Sequence, residues 1–76
     1  MKAFSDLVEE FLKIQKSDIT DALTPKDVPD WDSMNYLLFI AELEKEYDVS
    51  FSMDEVLQAQ SLGDIRKMLR DKGASV

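Results

Sequence analysis

The sequence predicts an all-α fold, a small four-helix bundle formed by one domain over residues 1–76. A chain of 76 residues is long enough for one domain with a thin core. Two segments carry apolar residues at the spacing of amphipathic helices, and a third ends in a glycine suited to close a helix. The links between these segments are short except for one long first loop. Such a pattern is typical of small helix bundles.

The first helix is predicted over about residues 2–16. Its apolar residues recur at the steps i, i+3, i+4, i+7 and i+8 expected of a helix with one buried face. These residues are Phe4, Leu7, Val8, Phe11 and Leu12. Charged residues fill the opposite face: Lys2, Asp6, Glu9, Glu10 and Lys13.

Residues 17–32 form the long first loop. Asp, Ser, Thr and two prolines occur throughout this stretch and favour turns. Structureless loops of this length are uncommon in compact domains unless their own side chains pin them. Four apolar residues are spaced through the loop like anchors: Ile19, Leu23, Val28 and Trp31. We therefore expect the loop to be held against the core.

The second helix is predicted over residues 33–47, with Asp32 and Ser33 both suited to cap its start. One face carries a complete core stripe: Tyr36, Phe39, Ile40, Leu43 and Tyr47. A second face carries Met34, Leu37, Leu38 and Ala41 before it gives way to Lys45. Burying both faces is difficult in so small a domain. We therefore expect the second face to be presented to a partner.

The remaining helices are shorter. Residues 53–58 predict a helix of one or two turns. The last helix is predicted over residues 61–72, because Ser61 and Asp64 resemble a capping box with Asp in the place of Glu. Gly73 follows where a helix commonly ends.

Charge and composition exclude several classes of function. Sixteen acidic residues against nine basic ones give a net charge of −7, which disfavours binding to nucleic acid or to anionic lipid. Cysteine and histidine are both absent, so the chain has no thiolate or imidazole for metal binding or catalysis. No apolar run is long enough for a membrane span, and we expect a cytoplasmic protein.

The acidic residues form no convincing site. Asp27, Asp30 and Asp32 cluster in the loop, but the glycine and the terminal Glu of a calcium-binding loop are missing. Neighbouring acids such as Asp54 and Glu55, or Glu44 and Glu46, would need a desolvating cleft for acid–base catalysis. A solvated helix face is the simpler interpretation.

Ser33 is the most informative polar residue, since it lies where the loop meets the second helix. One interpretation is a helix cap, for which serine is well suited. The other is covalent attachment of a group. A phosphate ester at Ser33 would lie at the positive end of the helix dipole, close to unpaired backbone N–H groups.

Three segments together resemble the acyl carrier proteins: residues 30–34 (Asp-Trp-Asp-Ser-Met), residues 43–51 at the end of the second helix, and residues 61–65 at the start of the last. The resemblance covers nearly the whole chain in length, helix order and acidity. It implies a non-catalytic carrier with 4'-phosphopantetheine on Ser33, flanked by Asp32 and by Met34 in place of the usual Leu. A separate magnesium-dependent phosphopantetheinyl transferase would supply the group from coenzyme A, and its thiol would hold an acyl or aminoacyl group as a thioester.

The resemblance also implies partner enzymes that load and transfer the acyl group. We expect the carrier to be a monomer and to contact these enzymes through its second helix. Asn35 and Leu38 stand where carriers of fatty-acid synthesis are commonly acidic, and Lys45 adds a positive charge. We therefore expect a specialised carrier, serving a dedicated biosynthetic pathway. The expected partner-binding residues are Leu37, Leu38, Ala41, Glu42, Lys45, Asp54 and Glu55.

Two alternatives remain open from the sequence. The first concerns eight apolar residues, which either line an acyl-sheltering cavity or form an ordinary close-packed core. They are Phe39, Ile40, Leu43, Phe51, Val56, Leu57, Ile65 and Met68. The second alternative is a small acidic adaptor without a prosthetic group. In that case the apolar face of the second helix would bind a partner and Ser33 would only cap the helix.

Overall fold

A computed structural model describes residues 3–76 and confirms the four-helix prediction. Within this range α1 spans Phe4–Leu12, α2 Ser33–Tyr47, α3 Met53–Gln58 and α4 Leu62–Asp71. A single turn of 3₁₀-helix, Lys16–Asp18, lies early in the first loop. The predicted bounds of α2 and α3 agree with the structure. Those of α4 differ by one residue at each end, because Ser61 is the cap that precedes the helix.

The first helix is shorter than the predicted range of about 2–16. It ends at Leu12 because Lys13 adopts a left-handed conformation, with φ 57° and ψ 42°. This turn redirects the chain and buries Ile14 against the core. Lysine rarely adopts this conformation, so the sequence carries no signal for the break. The predicted residue Lys2 lies outside the described residues.

The core lies where α1 and α2 pack together and the other elements close over them. Phe39 of α2 has no exposed surface, and its ring meets the edge of the Phe4 ring of α1 at 5.8 Å between centroids. The core stripe predicted for α2 is confirmed: Phe39, Ile40 and Leu43 are buried, and Tyr36 and Tyr47 are partly buried against them. Leu62, Ile65 and Leu69 of α4 complete this core without any exposed surface.

The long first loop is pinned, as its apolar residues predicted. Val28 and Trp31 are buried, and Ile19 and Leu23 pack against the core. Backbone hydrogen bonds fix the loop as well, because the carbonyl groups of two of its residues accept from the first turn of α4. Leu62 N–H donates to the oxygen of Leu23, and Gly63 N–H donates to that of Asp21, each at 3.0 Å. The loop thus satisfies N–H groups that the helix itself leaves unpaired.

Gly63 allows this close approach between the loop and α4. A Cβ atom at this position would lie 3.0 Å from both the carbonyl oxygen and the Cβ of Asp21. We expect Gly63→Ala to lower the free energy of unfolding by about 1 kcal/mol, because overpacking costs more than alanine gains in helix propensity. Urea unfolding followed by circular dichroism would measure the change, with exposed Lys67→Ala in the same helix as control. A Gly63→Ala protein as stable as the wild type would contradict this account.

The ends of α2 and α4 are closed by local backbone geometry. Asp48 takes the left-handed conformation after α2, and Val49 N–H donates to the oxygen of Glu44 at 3.2 Å. After α4 the same role falls to Gly73, at φ 97°, and Ala74 N–H donates to the oxygen of Leu69 at 2.9 Å. Both are Schellman arrangements. The prediction that Gly73 ends the last helix is therefore confirmed.

Within residues 3–76, no helix combines the length and the apolar character needed to cross a bilayer.

Candidate functional site at the start of helix 2

The cap of α2 is Asp32, and this corrects the interpretation of Ser33 as a cap. The Asp32 backbone is extended, and its carboxylate accepts a hydrogen bond from Asn35 N–H at 2.8 Å. Its carbonyl oxygen accepts from Tyr36 N–H at 2.9 Å. Ser33 is the first residue of the helix itself. Both residue types cap helices well, so the sequence could not decide between the two neighbours.

The Ser33 hydroxyl is left available by this arrangement. Ser33 is exposed, and its side chain has no hydrogen-bond partner among residues 3–76. The first four N–H groups of a helix have no partner within the helix. Here those of Asn35 and Tyr36 are paired with Asp32, while those of Ser33 and Met34 have no partner in the described part of the chain. The site therefore combines a free hydroxyl with two unpaired backbone donors at the positive end of α2.

The loop that precedes Ser33 is held in place by its polar side chains. Asn35 Nδ2 donates to the carbonyl oxygen of Asp30 at 2.8 Å, which ties the end of the loop to the first turn of α2. The Asp27 carboxylate accepts from both the backbone N–H and the hydroxyl of Thr24, each at 3.1 Å. Asp27 and Asp32 thus serve local turns. Among the described residues, no three acidic side chains come together in a way that could hold a metal ion.

The second face of α2 is exposed, as its sequence pattern predicted. We call Met34, Leu37, Leu38 and Ala41 the α2 docking face. Met34 is 72% exposed, Leu37 53% and Leu38 51%, and Ala41 is also exposed. Met53 and Leu57 of α3 are exposed as well, and Leu57 lies near Ser33. Contiguous exposed apolar surface is typical of sites that bind another molecule.

The charged residues predicted to bind partners differ in their exposure and in their contacts within the fold. Lys45 and Asp54 are exposed, and Glu42 is half-buried. Glu55 is committed to the fold: it accepts from Ser52 N–H at 2.8 Å and pairs with Lys72 Nζ at 3.0 Å. The Ser52 hydroxyl accepts from Glu55 N–H in return, which completes a capping box at the start of α3. The Ser-x-x-Glu signal for this box is present in the sequence at residues 52–55.

The hydrogen bond from Ser52 N–H, followed by Lys72, lowers the pKa of Glu55 below its ordinary 4.5. A lowered pKa in the folded state adds stability above the ordinary pKa, and this stability is lost as the pH falls through the lowered value. We therefore expect Glu55→Gln to be less stable than the wild type at pH 7, and the difference to shrink as the pH falls below the ordinary pKa of 4.5. Thermal unfolding across this pH range measures the difference, with exposed Asp54→Asn as control. A difference that does not change with pH would contradict the role of the charge.

An open hollow of about 240 Å³ borders Ser33 and was not predicted from the sequence. Its lining comes from the first loop, the first turn of α2 and α3: Pro25, Trp31, Asp32, Ser33, Tyr36, Val56, Leu57 and Ala59. The Tyr36 hydroxyl donates to the carbonyl oxygen of Val56 at 2.7 Å and so joins α2 to α3. Burial raises the pKa of the Tyr36 phenol, which keeps its proton in place for this bond. No local pattern in the sequence signals the hollow, because it depends on how the loop lies against α3.

The site combines an exposed hydroxyl with an exposed apolar helix face, in a chain without histidine or cysteine. Such a site is that of a carrier domain. Over residues 2–69 the sequence matches the family described as phosphopantetheine attachment site, and the chain belongs to that family. It is a non-catalytic carrier protein that bears 4'-phosphopantetheine covalently. Its partners are therefore a phosphopantetheinyl transferase and enzymes that handle acyl groups.

The fold is similar to that of a solved structure from Mycobacterium tuberculosis, described as an acyl carrier protein. The two have a TM-score of 0.77 at 22% sequence identity, and the match covers 91% of this chain and 97% of that chain. At this identity the similarity concerns the fold, and it confirms the predicted acyl-carrier architecture. A comparison with curated proteins gave no match. Membership of the family supports the carrier over the alternative of an adaptor without a prosthetic group.

Proposed function

We propose that this protein carries acyl or aminoacyl intermediates of a dedicated biosynthetic pathway on a phosphopantetheine arm attached to Ser33. The observation that carries the proposal is the position of Ser33 at the first residue of α2, exposed and not used as the cap. The unpaired N–H groups of Ser33 and Met34 fit a phosphodiester there, since a helix start favours an anion. When bound, the group supplies a thiol that holds the intermediate as a thioester.

Attachment requires only the Ser33 hydroxyl from this chain. Its oxygen attacks the phosphorus of coenzyme A that bears the pantetheine, and a new O–P bond forms. The pyrophosphate P–O bond breaks, adenosine 3',5'-bisphosphate leaves, and the hydroxyl proton passes to a base of the transferase or to water. The carbonyl and carboxylate of Asp32 keep the first turn of α2 formed while Ser33 reacts.

The experiment that tests this proposal is the mass of the intact protein after incubation with coenzyme A, magnesium and a broad-specificity phosphopantetheinyl transferase. We expect the mass to increase by one phosphopantetheine. Proteolysis should place the added mass on the peptide that contains Ser33, while the other six serines of the chain serve as internal controls. An added mass on another serine would overturn the assignment of Ser33.

The proposal of a dedicated pathway is supported by the α2 docking face. Acidic carriers meet basic partner surfaces through electrostatic steering. Here the exposed face beside Ser33 is apolar, with Asn35 and Leu38 where carriers of fatty-acid synthesis are commonly acidic. We therefore propose that partner enzymes contact Met34, Leu37, Leu38 and Ala41, flanked by Glu42, Lys45 and Asp54. We also propose that the carrier meets them as a monomer, which leaves this face free.

Leu38→Glu tests the part that this face plays in partner choice. Leu38 is half-exposed, so the change should leave the fold intact while it adds a negative charge. We expect the loaded variant to be acylated several-fold faster than the wild type by an acyltransferase of general fatty-acid synthesis, with the gain reduced by salt. Gln15→Glu adds the same charge at an exposed position shortly after α1 and should have little effect. Equal rates for wild type and Leu38→Glu would count against a specialised docking face.

A further inference from the structure

The hollow beside Ser33 adjoins another, which lies between the first loop and the residues that follow α3. Pro25 and Ala59 line this hollow, and they also line a second hollow of about 490 Å³, together with Thr24, Lys26 and Gln60. The two hollows therefore adjoin at Pro25 and Ala59. We call the combined feature the loop groove. Its larger part alone lies within the range of about 300–1,000 Å³ that is usual for small-molecule sites.

The floor of the loop groove near Ser33 is apolar and fixed. Trp31 is buried, and its ring lies 5.9 Å from that of Tyr36 between centroids. The hydrogen bond from Tyr36 to Val56 holds α3 beside this pair. Leu57 leaves 73% of its surface exposed at the same site, so apolar surface there is open to a ligand. A flexible chain that starts at Ser33 can cover this surface without any change in the helices.

The interior of the bundle offers no comparable route. Phe39, Leu43 and Ile65 have no exposed surface, and none of them lines the hollow at Ser33. Of the residues that the sequence suggested for a sheltering cavity, only Val56 and Leu57 border it. The close-packed core therefore describes the rest of that set better, since well-packed interiors resist the insertion of additional groups.

We propose that the loop groove, rather than the core of the bundle, holds the prosthetic arm of Ser33 and a short apolar acyl chain carried on it. This inference rests on the proposed function. The occupant belongs to the chain itself, because Ser33 borders the groove and is the proposed point of attachment. Trp31, Val56 and Leu57 contact the arm near Ser33, and Pro25 and Ala59 contact the acyl chain farther along. Binding of this kind hides apolar surface from water without opening the core.

The test compares amide and indole N–H chemical shifts of the apo, phosphopantetheine-loaded, butyryl-loaded and octanoyl-loaded proteins, each checked by intact mass. We expect the largest changes at the indole of Trp31 and at the amides of Val56, Leu57 and Ala59. Small changes are expected at the core residues Phe39, Leu43 and Ile65. Largest changes at these core residues, or no changes in the groove, would overturn the groove proposal while a correct mass leaves the carrier function standing. Failure to gain mass would overturn both.

A matched pair of variants narrows the site further. Ala59→Trp should fill the groove and abolish the acyl-dependent shift changes at Trp31, whereas Ala41→Trp on the α2 docking face should leave them unchanged. Circular dichroism and intact mass establish that both variants fold and load. If Ala41→Trp abolishes the changes and Ala59→Trp does not, the arm lies on the docking face and the proposal is wrong.

Discussion

Phe39→Ala should lower the free energy of unfolding by about 3–5 kcal/mol, since it empties the centre of a closely packed core. Phe39 has no exposed surface, and its ring joins α2 to α1 through the edge contact with Phe4. Domains are stable by only about 5–15 kcal/mol, and one of 76 residues has a thin core. Urea unfolding followed by far-ultraviolet circular dichroism should show the midpoint fall steeply.

The control lies one residue away on the same helix. Leu38→Ala removes a side chain of similar character that is half-exposed, and its cost should stay within about 0.5 kcal/mol. The difference between the two stability losses shows which face of α2 packs against the core. Equal losses for Phe39→Ala and Leu38→Ala would show that the docking face is buried in solution.

Ser33→Ala should abolish phosphopantetheine loading completely while it changes the free energy of unfolding by less than about 0.5 kcal/mol. Loading is lost because no hydroxyl remains to accept the group. Stability is kept because the cap of α2 is the carboxylate of Asp32 and the Ser33 side chain has no partner within residues 3–76. Intact mass measures loading, and thermal unfolding measures stability.

Ser52→Ala is the matched control, since Ser52 is also an exposed serine beside the start of a helix. Its hydroxyl does cap its helix, by accepting from Glu55 N–H at 3.1 Å. This variant should therefore lose about 1 kcal/mol of stability and load normally. The two serines are expected to give opposite results in the two measurements. A stability loss at Ser33 as large as that at Ser52 would restore the capping interpretation of Ser33.

Local patterns in the sequence predicted those features of the helices that depend only on neighbouring residues. The bounds of α2 and α3 and the closing role of Gly73 follow from apolar spacing and from known cap residues. The end of α1 could not be predicted, because Lys13 takes a left-handed conformation that its residue type does not favour. The same limit applied to the cap of α2, since Asp32 and Ser33 are equally suited to it by type.

The candidate site was predicted only where it depends on local sequence patterns. Exposure of the α2 docking face follows from the two apolar faces of one helix, because a small core has room for only one of them. The loop groove depends on contacts between residues far apart in the chain, such as Tyr36 with Val56. The role of Glu55 had a local signal in the Ser52–Glu55 spacing, but its pairing with Lys72 did not.

The hydrogen bonds from Leu62 and Gly63 to the first loop make the loop and α4 one cooperative unit. Residues about forty positions apart must come together before the N–H groups of Leu62 and Gly63 have partners. A local opening of the loop therefore releases these donors, frays the start of α4 and separates one wall of the loop groove at the same time. Amide hydrogens of Leu62 and Gly63 should then show the same protection factor against exchange with solvent, set by the same opening. The rigidity of the surface around Ser33 therefore depends on hydrogen bonds made by α4, the last helix of the chain.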